Sequence, residues 1–472
     1  MKEAESLEKL RPLGKLEQLS GACHHLGFYH NVGLSARYSA PTTTQIQNLR
    51  NLIFVALQDV IRQHGILSAI PVKEHSPEAY FARLPSIDLT RSVTFITRSK
   101  PETVDGQDSE LDAILEEQHN LNFKDNYGSL PFWRLLILQE AGREDRFSAS
   151  FIFHHSIGDG MAGLIFHKYF ERALRAARAA SEPISASITT VNVKDNIELL
   201  PPLEELHPLP IQNEATPAPS AEKAKEWTGG RIQTPCVTRY RTLYLSPIST
   251  NALIQKGKQN GLSLTSLLSA IIAAALFDVL PPPIDVLTGI IPVNLRPWLD
   301  LPRELAHDAM GTFIDAFRVQ INQSELYTDG SAEFSMLSVA QKVSKEITRR
   351  LRDNLSPSGE PYTNVAIFKT VPDVAQVFSS AIGKERDAGF EVSNLGQFSG
   401  FDKEPVKTSW RVGRMTFSRS SVVSGSAVTM SAVSGGDNAL TVGFSWQDNV
   451  VEDGLVRNLV VRVKELAEHL SG

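Results

Sequence analysis

The chain has 472 residues, of which 42% are hydrophobic and 21% charged, and its formal net charge is -6. That length exceeds a single ordinary core and predicts two or three domains, while the acidic balance and dispersed cations exclude a phosphate-backbone partner such as nucleic acid. Two cysteines, Cys23 and Cys236, are too few for a disulfide framework or a thiolate zinc site and fit a reducing compartment.

The N-terminal stretch MKEAESLEKLRPLGKLEQ is charged throughout, so no secretory signal is expected there, and no run of roughly 18 apolar residues occurs that would span a membrane. The pair His24 and His25 in ACHHLGFYHN has no aspartate four residues on, and is read as two ordinarily hydrogen-bonded side chains. From Thr42 to His64, Ile46, Leu49, Ile53, Leu57, Val60 and Ile61 share one face after a threonine cap, which predicts an amphipathic helix. A shorter helix is expected over Ser109 to His119. The apolar runs Leu130 to Glu140 and Arg146 to Ser156 predict a strand pair, and the helical pattern from Met161 places FIFHHSIGDGMAG in a strand-to-helix turn.

Between Val193 and Cys236 the pattern breaks. Pro201, Pro202, Pro208, Pro210, Pro217 and Pro219 predict an extended surface linker rather than a packed element, and hence a boundary between an N-terminal unit (1–192) and a C-terminal unit (237–472). Beyond it, TRYRTLYLS reads as a strand, SLTSLLSAIIAAALFDVL as a buried helix with a Ser/Thr start, and IDVLTGIIPVNLRPWL as a strand entering a proline-bounded turn. A helix over Met336 to Leu355, the segment DAGFEVSNLGQF, the strands SAVTMSAVS and ALTVGFSWQ, and a terminal helix follow. In that last helix Leu455, Leu459, Val463, Leu466 and Leu470 recur at helical spacing, which predicts packing on the core ahead of binding to a lipid surface. The mixed order of strands and helices predicts an α+β (mixed α/β) fold rather than a doubly wound sheet, and no GxGxxG or GxxxxGK[ST] glycine cradle is present.

The chemistry concentrates at HHSIGDG. An imidazole at a strand end can act as a general base near neutral pH, and Gly158 and Gly160 flanking Asp159 allow a tight turn that folds the carboxylate back. His154 and His155, adjacent on a strand, point to opposite faces, which disfavours a shared metal ion. Ser156 lacks the G-x-S-x-G elbow of a serine nucleophile.

HHSIGDG resembles the HHxxxDG signature of the chloramphenicol acetyltransferase-like acyltransferases and peptide-synthetase condensation domains. The opening LGKLEQLSGACHHLGFYHNVGLSARY and FEVSNLG (Phe390 to Gly396) resemble the fungal alcohol acetyltransferases, and PVNLRP (Pro292 to Pro297) the related wax-ester and diacylglycerol acyltransferases. The resemblance implies two similar subdomains, each a mixed sheet flanked by helices, meeting at a central tunnel. It implies His155 as general base and Asp159 as a structural residue paired with Arg296, with Gly160 supporting the turn. His154, Gly158, Ser393 and Asn394 are the candidates for contact with substrate or oxyanion. The reaction expected is direct transfer from acyl-CoA, most simply acetyl-CoA as co-substrate, to an alcohol or the hydroxyl of a secondary metabolite. Transfer to an amine, or a tunnel that binds a hydrophobic metabolite without catalysis, is the alternative. No permanently bound cofactor or metal is implied. A cytoplasmic monomer, at most peripheral to a membrane, is expected, and Lys384, Arg386, Arg411 and Arg414 are the cations near the segment where CoA phosphates would need them.

Overall fold

The computed structural model describes residues 2–41, 48–100, 106–179, 188–209, 224–327, 332–355, 364–401 and 410–471. Two mixed sheets organise it. The first has five strands in the order Arg411–Arg419, Val32–Ser39, Arg146–Phe153, Trp133–Gln139 and Val93–Thr97, antiparallel except for the last pair. The second has six, in the order Thr238–Leu245, Leu440–Gln447, Ser426–Ser434, Ala388–Gln397, Val286–Asn294 and Ile314–Asn322, with parallel pairing on both sides of Ala388–Gln397.

Strand Arg146–Phe153 is buried along nearly its whole length, as its apolar run requires of a central strand, and it ends immediately before His154. Helix Gly160–Ala179 covers this sheet, with Phe166 stacked on Phe151 at a ring separation of 3.9 Å, and helix Leu49–Gln63 packs beside it. The latter starts at Asn48, whose side chain accepts from Asn51 N at 3.0 Å; the expected Thr42 cap and Ile46 fall outside the described residues. Helix Ser109–His119 has the predicted bounds.

On the second sheet, helix Leu264–Val279 begins at Ser263, which accepts from Ser266 N, and is buried over most of its length. Helices Ala332–Leu355 and Asp453–Ser471 pack against it. Leu459, Val463, Leu466 and Leu470 of the terminal helix are all buried there, so its apolar stripe is spent on the core. Among the described residues no single helix is long and apolar enough to cross a membrane.

Two features depart from the sequence expectation. The proline-rich segment packs where it is described: Leu203–Leu206 forms a helical turn that, with Leu209, is buried against Leu16, Leu295 and Leu299. Leucines three apart supply one apolar side that a composition reading overlooks, whereas Pro210, Pro217 and Pro219 lie outside the described residues. Second, strand Arg411–Arg419 follows the segment in sequence yet joins the first sheet beside Val32–Ser39, so the sheets do not divide where the chain was expected to. Local periodicity finds a strand but not the sheet that receives it.

Candidate active site

The strand-to-helix turn at FIFHHSIGDGMAG holds its histidines on opposite sides. His154 N donates to Phe132 O at 2.9 Å, and the turn closes with Ile157 N donating to His154 O at 3.1 Å. Asp159 then caps helix Gly160–Ala179, accepting from Ala162 N at 3.1 Å through its carboxylate. The same carboxylate takes both arms of Arg296, Nη1 at 2.8 Å and Nη2 at 2.9 Å, and accepts from Phe313 N at 3.0 Å. Side chains of the pair are each only 2% exposed. Arg296 is held in turn by Ala309 O at 2.9 Å and Gly311 O at 3.1 Å. The sequence expectation of Asp159 with Arg296 therefore corresponds to a bidentate, fully buried ion pair that locks the second half of the chain onto the turn.

His155 is aimed by the same bracing. Thr312 Oγ1 donates to its backbone carbonyl at 2.7 Å, and Tyr29 stands beside its ring with centroids 5.7 Å apart. Its Nδ1 is enclosed with no hydrogen-bond partner among the described residues, which leaves Nε2 to the cavity that the ring borders. Burial holds the pKa below the ordinary imidazole value, against the opposing pull of the Asp159 charge. The ring is consequently neutral at pH 7, with a lone pair for a proton.

The cavity beside it encloses about 370 Å³ and lies between the two halves, with Cys23, Tyr29 and Met161 on one side and Ile290, Glu391 and Ser393 on the other. Gly160 forms part of its wall: a Cβ there would come within 2.6 Å of Leu395 Cδ2 and 2.9 Å of Phe417 Cζ. Gly158 does not serve close approach to a substrate; a Cβ would sit 2.5 Å from that of Ala162, so this glycine lets the turn pack on the helix it precedes. Alternation along Ala388–Gln397 puts Glu391, Ser393 and Leu395 toward the cavity, while Phe390 and Val392 enter the second core. Asn394 borders the cavity too, but its amide nitrogen donates to Thr265 Oγ1 at 3.2 Å and its oxygen accepts from Gly396 N at 3.0 Å, so its polar atoms are committed to the strand end.

His154 is not a substrate contact, which corrects that expectation; strand alternation turns it into the first core. Its Nε2 lies 3.1 Å from Glu74 Oε1, and His24 Nδ1 meets Glu74 Oε2 at 2.9 Å. Burial alone would raise the Glu74 pKa, but the two histidines beside it outweigh that and hold it below the ordinary carboxylate value. His154 itself is pushed down to about 4, chiefly by burial and then by His24. His24, Glu74 and His154 are close enough together to surround a metal ion, but the donor set is wrong for one. Phe123 N donates to His24 Nε2 and Ser156 N to His154 Nδ1, each at 3.0 Å. In each ring the nitrogen that accepts from a backbone N–H holds the lone pair, so the proton sits on the nitrogen facing Glu74, where a ligand would need a lone pair. The cluster is a carboxylate that accepts from His24 Nδ1, with His154 Nε2 beside it at 3.1 Å but not aligned for a hydrogen bond, and the sequence reading of His24 as an ordinary hydrogen-bonded residue omitted its partner.

Several cavity residues had no sequence motif of their own. Glu391 shares the period of Ser393, two residues on, and that spacing would have found it. Tyr29, Thr312 and Arg419 arrive from distant segments, and only the fold brings them to His155. Of the cations considered for CoA phosphates, Arg386 is buried and donates to Gly230 O, Val422 O and Gln447 Oε1, which removes it from consideration.

Comparison with known proteins identifies the family and the fold. The sequence profile of the alcohol acetyltransferase family matches residues 105–461. A probable alcohol acetyltransferase of Aspergillus fumigatus is 50% identical over 451 residues, covering 94% of this chain and 96% of its own. Another from Fusarium pseudograminearum is 23% identical over 473 residues, covering 95% and 93%. Among solved structures, the trichothecene 15-O-acetyltransferase of Fusarium sporotrichioides superposes with a TM-score of 0.70 at 14% identity, covering 98% of this chain and 94% of its own. The first condensation domain of the calcium-dependent antibiotic synthetase gives 0.61 at 13% identity, covering 98% and 97%. Those two likenesses establish a condensation-like, chloramphenicol acetyltransferase-like fold. The chain belongs to the alcohol acetyltransferase family and is an acyltransferase whose family chemistry is acyl transfer to an alcohol.

Proposed function

We propose that the chain transfers an acetyl group from acetyl-CoA to the hydroxyl of a small-molecule alcohol, such as a secondary metabolite, with His155 as general base. The observation that carries this reading is an imidazole on the cavity wall, mounted by an aspartate with no oxygen to spare. Both Asp159 oxygens are used by Arg296 and backbone N–H groups, so the carboxylate holds the turn and does not relay protons.

In this mechanism His155 Nε2 takes the proton of the acceptor hydroxyl as its oxygen attacks the thioester carbonyl carbon. The C–S bond then breaks, and the imidazolium returns the proton to the departing CoA sulfur. Ser393, on the cavity face of its strand, is the donor proposed for the transient oxyanion, a role that elsewhere contributes roughly 3 kcal/mol. Transfer is direct: Cys23 is the thiol on the cavity wall, and burial pushes its pKa far above the usual thiol range, so it supplies no thiolate for an acyl-enzyme.

Incubation with acetyl-CoA and a panel of alcohols and amines, following free thiol, tests the reading. Ester formation with one or more alcohols is expected. Transfer confined to amines would replace O-acylation by N-acylation, and no thiol release with any acceptor would overturn catalysis.

A further inference from the structure

Two residues of the cavity wall carry buried hydrogen-bond donors that the proposed chemistry does not use. Arg419 ends the strand that crosses into the first sheet, and its guanidinium reaches the second: Nε donates to Ser431 Oγ at 2.9 Å and Nη1 to Glu391 Oε1 at 2.5 Å. Its Nη2 has no hydrogen-bond partner among the described residues, although the residue is only 8% exposed. The Tyr29 hydroxyl is in the same position, unpartnered among the described residues in a side chain that is 8% exposed. Both residues border the cavity that His155 borders. Leaving a buried donor unmatched carries a desolvation cost, and two in one cavity wall mark a place where a ligand supplies the acceptors.

The geometry points to a polar subsite, formed by Arg419 Nη2 and the Tyr29 hydroxyl, for a neutral hydrogen-bond-accepting oxygen of a substrate. Charge decides the class. Arg419 is already compensated by Glu391, whose side chain is 12% exposed, so a carboxylate or phosphate added here would bring an unbalanced charge into an enclosed site. A carbonyl, ether or hydroxyl oxygen satisfies both donors without that cost. The surrounding wall, with Val32, Ile290 and Phe417, is apolar, so the substrate that fits is a largely hydrocarbon skeleton with an oxygen function besides the reacting one. The amide carbonyl of the CoA pantetheine arm offers the same chemistry. The subsite rests on the proposed acyl-transfer reading for its catalytic consequence, but not for its binding.

Equilibrium binding of decanol, of a series of keto-decanols with the ketone at successive positions, and of acetyl-CoA is measured for the wild type, Tyr29→Phe and Glu391→Gln, with thermal melts of each protein. Tyr29→Phe removes a hydroxyl that has no partner in the free protein, so its melting temperature is expected to equal or exceed the wild type's, while Kd for one or two keto-decanols rises about tenfold and that for decanol is unchanged. If instead the acetyl-CoA Kd rises tenfold, the oxygen belongs to the pantetheine arm and the subsite stands with that source. Glu391→Gln leaves Arg419 uncompensated and is expected to create affinity for decanoate that the wild type lacks. Equal affinities for every probe in wild type and Tyr29→Phe, or a lowered melting temperature in Tyr29→Phe, would overturn the subsite. Absence of thiol release from an otherwise binding-competent wild type would instead strike the acyl-transfer reading alone.

Discussion

Replacing Asp159 by Asn removes one charge from the buried pair while keeping the side-chain size. The wild-type carboxylate accepts from Arg296 Nη1 and Nη2, Phe313 N and Ala162 N, all within 3.1 Å. An asparagine amide must turn its NH₂ toward one of these donors, and Arg296 keeps a positive charge that is 2% exposed and no longer compensated. Breaking such a pair from one side costs roughly 3 to 5 kcal/mol. Removing the cation as well, in Asp159→Asn/Arg296→Met, leaves no buried charge, and the double variant is expected to be more stable than the sum of the single losses by about 2 kcal/mol. Urea denaturation of the wild type, both single variants and the double variant at pH 7 measures that coupling. The free turn should also misplace His155, and a shift of about 1 Å costs on the order of a hundredfold in turnover. Additive stabilities within about 0.5 kcal/mol, or turnover unchanged in the single variants, would refute the assignment of this pair as the mount of His155.

Acid should unfold the protein early. His30, His64, His154 and His167 are held to about 4 and His119 to about 3, in each case chiefly by burial. Because these folded values lie below the ordinary histidine value, the unfolded chain binds more protons between roughly pH 6.5 and 4, and stability present above that window is lost as pH falls through it. About four protons are taken up on unfolding at pH 5, a slope on the order of 5 kcal/mol per pH unit; a melting temperature flat from pH 7 to 4.5 would contradict it. Cys23→Ser should retain acyl transfer, and its loss together with a trapped acyl-cysteine would show a covalent route. Zinc and EDTA should leave melting temperature and activity unchanged, whereas tight zinc binding abolished in Glu74→Gln would disprove the tautomers assigned to His24 and His154. Gly160→Ala should shrink the cavity beside His155 and destabilise by roughly 1 to 3 kcal/mol through overpacking against Leu395 and Phe417, with a raised alcohol KM as its kinetic readout.

The site residues most legible in the sequence were those set by local rules. His155 and Asp159 sit in one turn, so strand, glycine and helix patterns placed both, and alternation separated His155 from His154. Ser393 was reached, with Asn394, through the resemblance of FEVSNLG, and the strand's alternation then turns it to the cavity. What sequence could not supply was the partner across the fold: Glu74 for His154, Thr312 for the His155 carbonyl, and Arg419 for Glu391. These contacts depend on which sheet accepts strand Arg411–Arg419 and on how the halves meet, and neither leaves a periodic trace. Arg296 was reached through the resemblance of PVNLRP, as the role of His155 was through that of HHSIGDG, rather than through any local pattern. The packed leucines at 203, 206 and 209 were hidden by surrounding prolines because composition averages over the few residues that are buried.

The most direct test of the account is the single-turnover yield of acetyl ester, with matching free thiol, from acetyl-CoA and an accepted alcohol in wild type and His155→Ala at pH 7. A neutral imidazole acting as the base predicts a loss of at least a hundredfold in the variant, with acetyl-CoA binding retained. Ester formation at the wild-type rate by His155→Ala would contradict it.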